Sequence, residues 1–196
     1  MPESVAIIGA GPLGRWLALA AARAGFSVLL EDVMPANLHH AQEYLRQQLS
    51  PGTDPAESGE ALQAIVFVST IEDAVREADL VIDCVPDELE SKLEILWLLD
   101  RMAPPRTVLA TPTTHLSIAD LANCTYRPAK CVAIAAEASD LAGKTEAGTS
   151  TEILLRTTSR TAPETIALVR SFWERVGFTP RFEQDAAEQT EKLRAN

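Results

Sequence analysis

The fold of this chain is decided by the stretch Ser4-Val5-Ala6-Ile7-Ile8-Gly9-Ala10-Gly11-Pro12-Leu13-Gly14, where a short apolar run passes directly into a Gly-x-Gly-x-x-Gly pattern. The β-branched run is too short for a helix and stops at a glycine, so it predicts a strand over 4–8. A helix is expected to begin at Pro12, since the first helical turn does not need the N–H that proline lacks. Strand, glycine turn and helix in this order predict the first half of a dinucleotide-binding βαβ unit.

The glycines of this pattern have separate steric roles. Gly9 allows the tight turn off the strand, Gly11 lets the backbone approach a pyrophosphate, and Gly14 permits the helix to pack closely on the strand. Unpaired N–H groups and the positive end of the helix dipole can then hold the phosphates without a lysine. We therefore expect Gly9, Gly11, Pro12, Leu13 and Gly14 to bind the cofactor.

A second apolar run, 26–30, ends in the acidic pair Glu31-Asp32. A carboxylate at the end of the second strand can accept both hydrogen bonds of an adenosine ribose diol and would repel a 2′-phosphate. The pattern therefore favours NAD over NADP. Asp32 best matches the strand end and is the expected ribose ligand, with Glu31 as the alternative.

Composition limits the class of protein. The 196 residues suit one domain with at most a small appendage. The net charge of −11, without a basic cluster, argues against nucleic acid and anionic membranes as partners. Cys84, Cys124 and Cys131 show no metal-ligand spacing and suit reduced thiols of a cytoplasmic protein, so no metal site is expected. Neither a membrane span nor a signal peptide is predicted.

Strands and helices alternate along most of the chain, which predicts a Rossmann-type doubly wound α/β fold, with a mostly parallel sheet in three α/β/α layers. Strands are predicted at 4–8, 26–30, 64–68, 80–85, 107–110, 131–135, 152–156 and 178–182. After the first helix, further helices are predicted at 35–49, 71–77, 89–99, 117–122 and 163–176. Loops are expected at 50–60, 111–114 and 137–149, the last of them mobile. An NAD-binding domain over 1–183 and a polar tail over 184–196 are expected.

From Val5 to about Phe182 the order of elements, together with four local stretches, resembles the NAD-binding domain of 3-hydroxyacyl-CoA dehydrogenases. They are the glycine motif Ile7-Ile8-Gly9-Ala10-Gly11-Pro12-Leu13-Gly14, the run Val28 to Asp32, the segment Ala78-Asp79-Leu80-Val81-Ile82-Asp83-Cys84-Val85-Pro86-Asp87-Glu88-Leu89-Glu90-Ser91-Lys92, and the loop Leu109-Ala110-Thr111-Pro112-Thr113-Thr114-His115-Leu116-Ser117-Ile118. The last two are more specific than the glycine motif, which many dehydrogenases share. The resemblance implies an NAD-dependent oxidoreductase acting on a 3-hydroxyacyl or related hydroxy substrate.

The resemblance also implies roles for single residues. Asp87 and Lys92 match the acid and the lysine that help to hold the nicotinamide half of the cofactor. Thr111 matches a hydroxyl-bearing residue of the family, with a threonine in place of its serine. Two alternatives stay open: Asp87 and Glu88 would cap the helix that follows, and Lys92 would be a solvated helix residue.

The chain departs from the family after the sixth predicted strand. Where the family has a His-Phe-Phe-Asn-Pro motif, this sequence has Ala135-Ala136-Glu137-Ala138-Ser139. The family's histidine falls on Ala135 and its asparagine on Ala138, and an alanine cannot exchange a proton. Glu152 either matches the acid that orients the missing histidine or is a solvated strand residue. The helical substrate domain of the family is expected to be missing.

The remaining candidates for a general base are few. His115, close after Thr111, is the histidine nearest the expected site. The alternative is a solvent-facing residue before a helix. Glu137 would serve only if burial made it basic enough, and Cys84 is expected to be a small buried side chain rather than a nucleophile. His39 and His40 are expected at the surface.

Two functions follow from these residues. The first is an NAD-dependent dehydrogenase in which Thr111 and His115 supply the altered chemistry. The second is a non-catalytic NAD-binding regulatory or sensor module that lost catalysis with Ala135. A homodimer is expected, since a second copy would cover the cleft, with Trp97 or Trp173 as contact residues.

Overall fold

One eight-stranded sheet organises the computed structural model, which describes residues 3–49, 61–136 and 151–185. Its strands are β1 (Ser4–Ile8), β2 (Ser27–Glu31), β3 (Ile65–Val68), β4 (Leu80–Asp83), β5 (Val108–Pro112), β6 (Cys131–Ile134), β7 (Thr151–Thr157) and β8 (Phe178–Gln184). They lie in the order β3-β2-β1-β4-β5-β6-β7-β8, and every neighbouring pair is parallel except β6 with β7. This topology confirms the predicted Rossmann-type sheet.

The helices connect these strands and begin at recognisable residues. They are α1 (Pro12–Arg23), α2 (Pro35–Gln48), α3 (Ile71–Val75), α4 (Leu89–Met102), α5 (Ile118–Ala122) and α6 (Pro163–Val176), with a short 3₁₀ turn at Pro128–Lys130. A proline opens α1, α2 and α6, where its missing N–H is not needed. Thr70 and Ser117 instead cap α3 and α5, each accepting a backbone N–H through its hydroxyl.

Two apolar cores, one on each face of the sheet, make the fold a three-layer α/β/α arrangement. On one face α1, α2 and α6 bury residues such as Leu17, Leu45 and Phe172. On the other face α3, α4 and α5 bury residues such as Leu99 and Leu121. Both faces of the strands are covered, which is the usual condition for a parallel sheet.

Several element ends differ from their predicted positions. Thr111 and Pro112, expected in a loop, belong to β5 and pair in register with Ala133 and Ile134 of β6. Pro112 is tolerated because it is the last residue of the strand, where a missing donor breaks little of the ladder. β8 extends two residues beyond the predicted end at Phe182. The predicted loops at 50–60 and 137–149 lie outside the described residues, as does the chain after 185.

The two tryptophans proposed as dimer contacts have opposite environments. Trp173 is fully buried, with its ring 5.2 Å from that of Phe172 and 5.4 Å from that of Phe178. The expectation that Trp173 contacts a second copy is therefore wrong, because its ring fills the core under α6. Trp97 on α4 is 47% exposed, and the Arg101 guanidinium lies over its ring.

Candidate functional site

The glycine turn between β1 and α1 has the geometry that its sequence predicts. Gly9 has a positive φ of 101°, and its N–H donates to the Glu31 carbonyl at 2.8 Å. A Cβ on Gly14 would lie 1.8 Å from the Gly9 carbonyl oxygen, so no larger residue fits there. Gly11, in contrast, has open space around the position of a Cβ. The free backbone N–H groups at the start of α1 therefore border a space in which a pyrophosphate can lie.

Asp32 joins the end of β2 to this turn. Its Oδ2 accepts from the Ala10 N–H at 2.9 Å, and its Oδ1 accepts from the Met34 N–H at 2.8 Å. The Asn37 amide donates to both oxygens at 3.1 Å. Asn37 was not identified from the sequence, although a polar side chain in the first turn of the helix after Asp32 was a usable signal. These bonds hold the carboxylate in place at the predicted ribose position.

Glu31, next to Asp32 in the chain, has a raised pKa. Burial, and next the charge of Asp32, raise the pKa of Glu31 from 4.5 to about 7. The Glu31 side chain is thus about half protonated near neutral pH. The Asp32 carboxylate, in contrast, is held by the N–H groups of Ala10 and Met34 and by the Asn37 amide.

A buried ion pair lies beside the glycine turn, at the carboxyl end of β4. Lys92 Nζ donates to Asp83 Oδ1 at 2.6 Å, and both side chains are almost completely buried. Burial raises the pKa of Asp83, against the opposing charge of Lys92. The interpretation of Lys92 as a solvated helix residue is wrong, because α4 turns it toward the sheet. Its burial also keeps its ammonium off the exposed surface of the site.

Three buried side-chain oxygens have no hydrogen-bond partner of standard geometry within the described ranges: Asp83 Oδ2, Asp87 Oδ1 and Thr111 Oγ1. The Thr111 hydroxyl nevertheless lies close enough to Asp83 to lower the pKa of that carboxyl, against the larger effect of burial. Asp83 is the last residue of β4 and Thr111 the last but one of its parallel neighbour β5, and Asp83 is in register with Ile8 at the point where the strand order reverses. Ligands of such sheets bind at this point. Unpaired buried oxygens call for a polar ligand or water, so they fit the polar end of a bound cofactor. Thr111 itself is fully buried.

A cavity of about 260 Å³ opens at the same edge of the sheet. It is lined by Leu13, Val85, Asp87, Pro112, Thr113, Thr114, His115 and Ala136. The loop after β4 supplies Asp87, and the loop after β5 supplies His115, whose Nδ1 lies 3.3 Å from Asp87 Oδ2. The His115 side chain is 64% exposed, as the alternative of a solvent-facing residue before a helix predicts. Thr111 is not among the lining residues, so its proposed catalytic hydroxyl does not face the cavity directly.

The helix-cap interpretation holds for the position of Glu88 but not for a side-chain hydrogen bond, and Asp87 lies before the cap. Glu88 occupies the cap position of α4, and its side chain makes no capping hydrogen bond. Asp87 Oδ2 instead accepts from the Thr114 N–H at 3.1 Å. The carboxylate therefore connects two loops at the cavity rather than satisfying the start of α4.

The site departs from the family pattern at Ala135, the position that the sequence comparison indicates. Ala135 follows β6, its N–H donates to the Leu154 carbonyl at 2.9 Å, and Ala136 lines the cavity. Glu137 and Ala138 lie outside the described residues. Glu152 is exposed on β7, as a solvated strand residue would be.

Other candidate groups take no part in the site. His39 and His40 are exposed on α2, as predicted. Burial raises the pKa of the Cys84 thiol, which supports the prediction of an unreactive side chain. In the described part of the chain, no cluster of three ligand side chains suits a metal ion. Within those residues, no helix combines the length and apolar character of a membrane span.

Comparison with known proteins identifies the family of this fold. Residues 4–135 match the model of the 3-hydroxyacyl-CoA dehydrogenase, NAD binding domain. A probable 3-hydroxybutyryl-CoA dehydrogenase of Bacillus subtilis is 32% identical over 135 residues, which cover 66% of this chain and 47% of that protein. A 5-formyl-3-hydroxy-2-methylpyridine 4-carboxylate 5-dehydrogenase of Mesorhizobium japonicum is 27% identical over 182 residues, or 92% of this chain and 57% of that protein.

A solved structure shows the same fold. The 3-hydroxybutyryl-CoA dehydrogenase of Escherichia coli superposes with a TM-score of 0.83 at 24% identity, covering 94% of this chain and 38% of the other. The chain spans about half of the length of these curated relatives. The glycine turn, Asp32 and the unpaired oxygens beside β4 and β5 suit the NAD that this domain type binds. The chain therefore belongs to the 3-hydroxyacyl-CoA dehydrogenase family and contains its NAD-binding domain.

Proposed function

We propose that this protein is an NAD-dependent oxidoreductase that acts on a 3-hydroxyacyl or related hydroxy substrate, with a changed acid–base group. The observation that carries the proposal is a cofactor cradle adjoining a cavity lined by His115. Bound NAD supplies the hydride acceptor that oxidation of an alcohol carbon requires. The residues that hold it are the glycine turn with Pro12 and Leu13, and Asp32 at the ribose.

The residues beyond the glycine turn have different tasks in this proposal. Asp87 lines the nicotinamide side of the cleft, and Lys92 acts on the cofactor site through its pairing with Asp83. Thr111 places its buried hydroxyl beside Asp83 and so contributes to the same part of the cofactor site. His115 is the proposed proton acceptor, since it is the titratable imidazole on the cavity wall.

Titration calorimetry tests the cofactor half of the proposal. Wild type is expected to bind NAD and NADH, and to bind NADP at least about tenfold more weakly because Asp32 repels a 2′-phosphate. Asp32→Ala is expected to lose this preference, whereas Asp120→Ala, an exposed acid on α5, serves as the matched control. Equal binding of NAD and NADP by wild type would contradict the assignment of Asp32.

Turnover separates an enzyme from a binding module. We expect NADH formation with a panel of 3-hydroxyacyl-CoAs and small hydroxy acids, and its loss in His115→Gln. The specific observation in favour of the second candidate, a non-catalytic NAD-binding regulatory or sensor module, is Ala135 in place of the family's imidazole. NADH binding without turnover on any substrate of the panel would establish that alternative.

Assembly and location form a separate part of the proposal. We propose a homodimer in the cytoplasm, with the exposed Trp97 face of α4 as a contact surface. The three cysteines are free, which agrees with a reducing compartment. Light scattering on the size-exclusion peak should give twice the mass of the chain, and Trp97→Glu should reduce it. A monomeric wild type would contradict the dimer, and recovery outside the cytoplasmic fraction would contradict the location.

A further inference from the structure

Asp87 and His115 form a contact between two loops that are far apart in the sequence. His115 Nδ1 lies 3.3 Å from Asp87 Oδ2, and both residues line the cavity beside the glycine turn. The second oxygen, Asp87 Oδ1, is buried without a partner among the described residues. The pair therefore occupies one wall of the proposed reaction site.

The surroundings of Nδ1 favour one tautomer of the His115 ring. Nδ1 lies within ion-pair distance of Asp87 Oδ2, at 3.3 Å, and because a carboxylate oxygen can only accept, this neighbour favours a proton on Nδ1. The hydrogen bond of Nδ1 is with Thr114 Oγ1 at 3.3 Å, and in this tautomer the hydroxyl oxygen accepts it. Nε2 then keeps its lone pair, and it has no hydrogen-bond partner in the described residues. This is the form that can remove a proton from a substrate.

The loop that carries His115 is held in place by its own contacts. Asp87 Oδ2 accepts from the Thr114 N–H at 3.1 Å, and Arg156 donates to the Thr114 carbonyl at 3.1 Å. Thr113 Oγ1 accepts from the Leu116 N–H at 3.0 Å. The backbone of Thr114, just before His115, is thus fixed to β7 and to the loop after β4, and Leu116, just after it, is fixed to Thr113 of the same loop.

We propose that Asp87 is a positioning residue that holds His115 as a replacement for the imidazole missing at Ala135. The inference rests on the proposed function and names the group that receives the proton. The alcohol carbon loses a hydride to NAD, its hydroxyl proton goes to His115 Nε2, and the carbon–oxygen single bond becomes a carbonyl. Asp87 balances the positive charge that His115 then carries, as the carboxylate of a catalytic dyad does.

The position of the pair supports this replacement. Ala136, next to the alanine that takes the histidine's place, lines the same cavity as His115. The loop after β5 and the chain after β6 therefore meet at one cavity, although Ala135 itself is not among the lining residues.

Nitrogen-15 NMR of the His115 ring tests the pair without relying on turnover. At a pH where the ring is neutral, the wild-type chain is expected to carry the proton on Nδ1. Asp87→Asn should shift the ring toward the Nε2–H form that free histidine favours in water. Glu88→Gln is the matched control, because it removes the neighbouring exposed charge without touching His115. An Nε2–H ring in wild type, or no change in Asp87→Asn, would overturn the proposal.

Binding and kinetics then separate positioning from cofactor contact. Asp87→Asn should lower kcat by about 10²-fold or more, the usual size of a general-base effect, while the Kd for NADH changes less than about twofold. A weakened NADH affinity with an unchanged ring tautomer would assign Asp87 to the cofactor and overturn the proposal. The protein could show no turnover while the His115 ring carries its proton on Nδ1 in a way that depends on Asp87. That result would contradict the proposed enzyme function but would leave the contact between Asp87 and His115 supported.

Discussion

At the scale of single residues, the most constrained side chains are the ion pair under the cofactor cleft. Lys92 and Asp83 are 2.6 Å apart and nearly inaccessible to solvent. Desolvation of two charges offsets much of their attraction, so such a pair adds little net stability. Removing one partner is much more damaging, because it leaves the other charge buried and unpaired.

Lys92→Met is therefore expected to lower the free energy of unfolding by about 3–5 kcal/mol. The double variant with Asp83→Asn should recover most of this loss, since no buried charge remains. Urea unfolding followed by circular dichroism measures both. The exposed pair of Arg76 and Asp73 is the control, and Arg76→Met should cost less than about 1 kcal/mol. Equal losses in Lys92→Met and Arg76→Met would contradict this account.

Glu31 predicts a pH dependence of stability. Its pKa in the folded chain, about 7, lies above the ordinary 4.5, so the folded state binds the proton more tightly than the unfolded state does. Stability should therefore decrease as pH rises from about 4.5 to about 7 and stay reduced above that. The size of the pKa shift sets an upper limit of about 3 kcal/mol on this effect.

Glu31→Gln should remove the penalty. We expect the variant to be more stable than wild type at pH 8, by up to about 3 kcal/mol, and to differ little from it at pH 5. Urea unfolding at both pH values measures the difference, with Glu88→Gln as an exposed control. A gain in stability that is the same at pH 5 and pH 8 would refute the role of ionisation.

At the scale of elements, α6 stabilises the fold through its aromatic face rather than through the cofactor site. Trp173 of this helix packs against Phe178, the first residue of β8, and Phe172 packs against Phe26, which lies just before β2. The helix thus joins the last part of the chain to the core beneath β2. Substitutions on the buried face of α6 should therefore lower the free energy of unfolding.

Trp173→Ala is expected to cost about 3–5 kcal/mol, because it leaves a large cavity in a fully buried position. Trp97→Ala on α4 is the matched control, and we expect a loss of about 1 kcal/mol or less from its exposed stacking with Arg101. Chemical unfolding of both variants gives the comparison. If the two losses were similar, α6 would not be a main source of stability.

At the scale of the whole molecule, three hydrogen bonds attach Asp185 to the folded domain. Asp185 Oδ2 accepts from the Ser117 hydroxyl at 2.9 Å and from the Ala119 N–H at 3.0 Å, and the Asp185 N–H donates to the Thr157 carbonyl at 2.8 Å. These bonds join the end of β8 to the start of α5. We therefore propose that the folded domain includes Asp185, two residues beyond the predicted boundary at 183.

Two truncations test this boundary. A chain that ends at Asp185 keeps the three hydrogen bonds of this residue and is the reference. A chain that ends at residue 183 should be less stable by about 1–2 kcal/mol, the size of a lost helix cap. Thermal unfolding compares the two lengths. If the two truncated chains were equally stable, the predicted boundary at 183 would be supported instead.

The sequence by itself determined the doubly wound order of elements, the glycine turn and the acid that follows β2. These features are local, since strand periodicity and the steric needs of Gly9, Gly14 and Pro12 act between residues close in the chain. The resemblance of the segment before Lys92 also pointed correctly to the family. The loss of the imidazole at Ala135 was readable for the same reason, because it is a change within one short motif.

Only the tertiary structure decided which polar residues of the site are buried and which contact each other. Sequence spacing allowed Lys92 to be solvated and Asp87 to be a helix cap, and it set Thr111 in a loop. The packing of α4 on the sheet buried Lys92 against Asp83, and the parallel pairing of β4 with β5 brought Asp87 to His115. Such contacts depend on which strands are neighbours and which face of a helix is covered. Local sequence patterns do not encode those long-range choices.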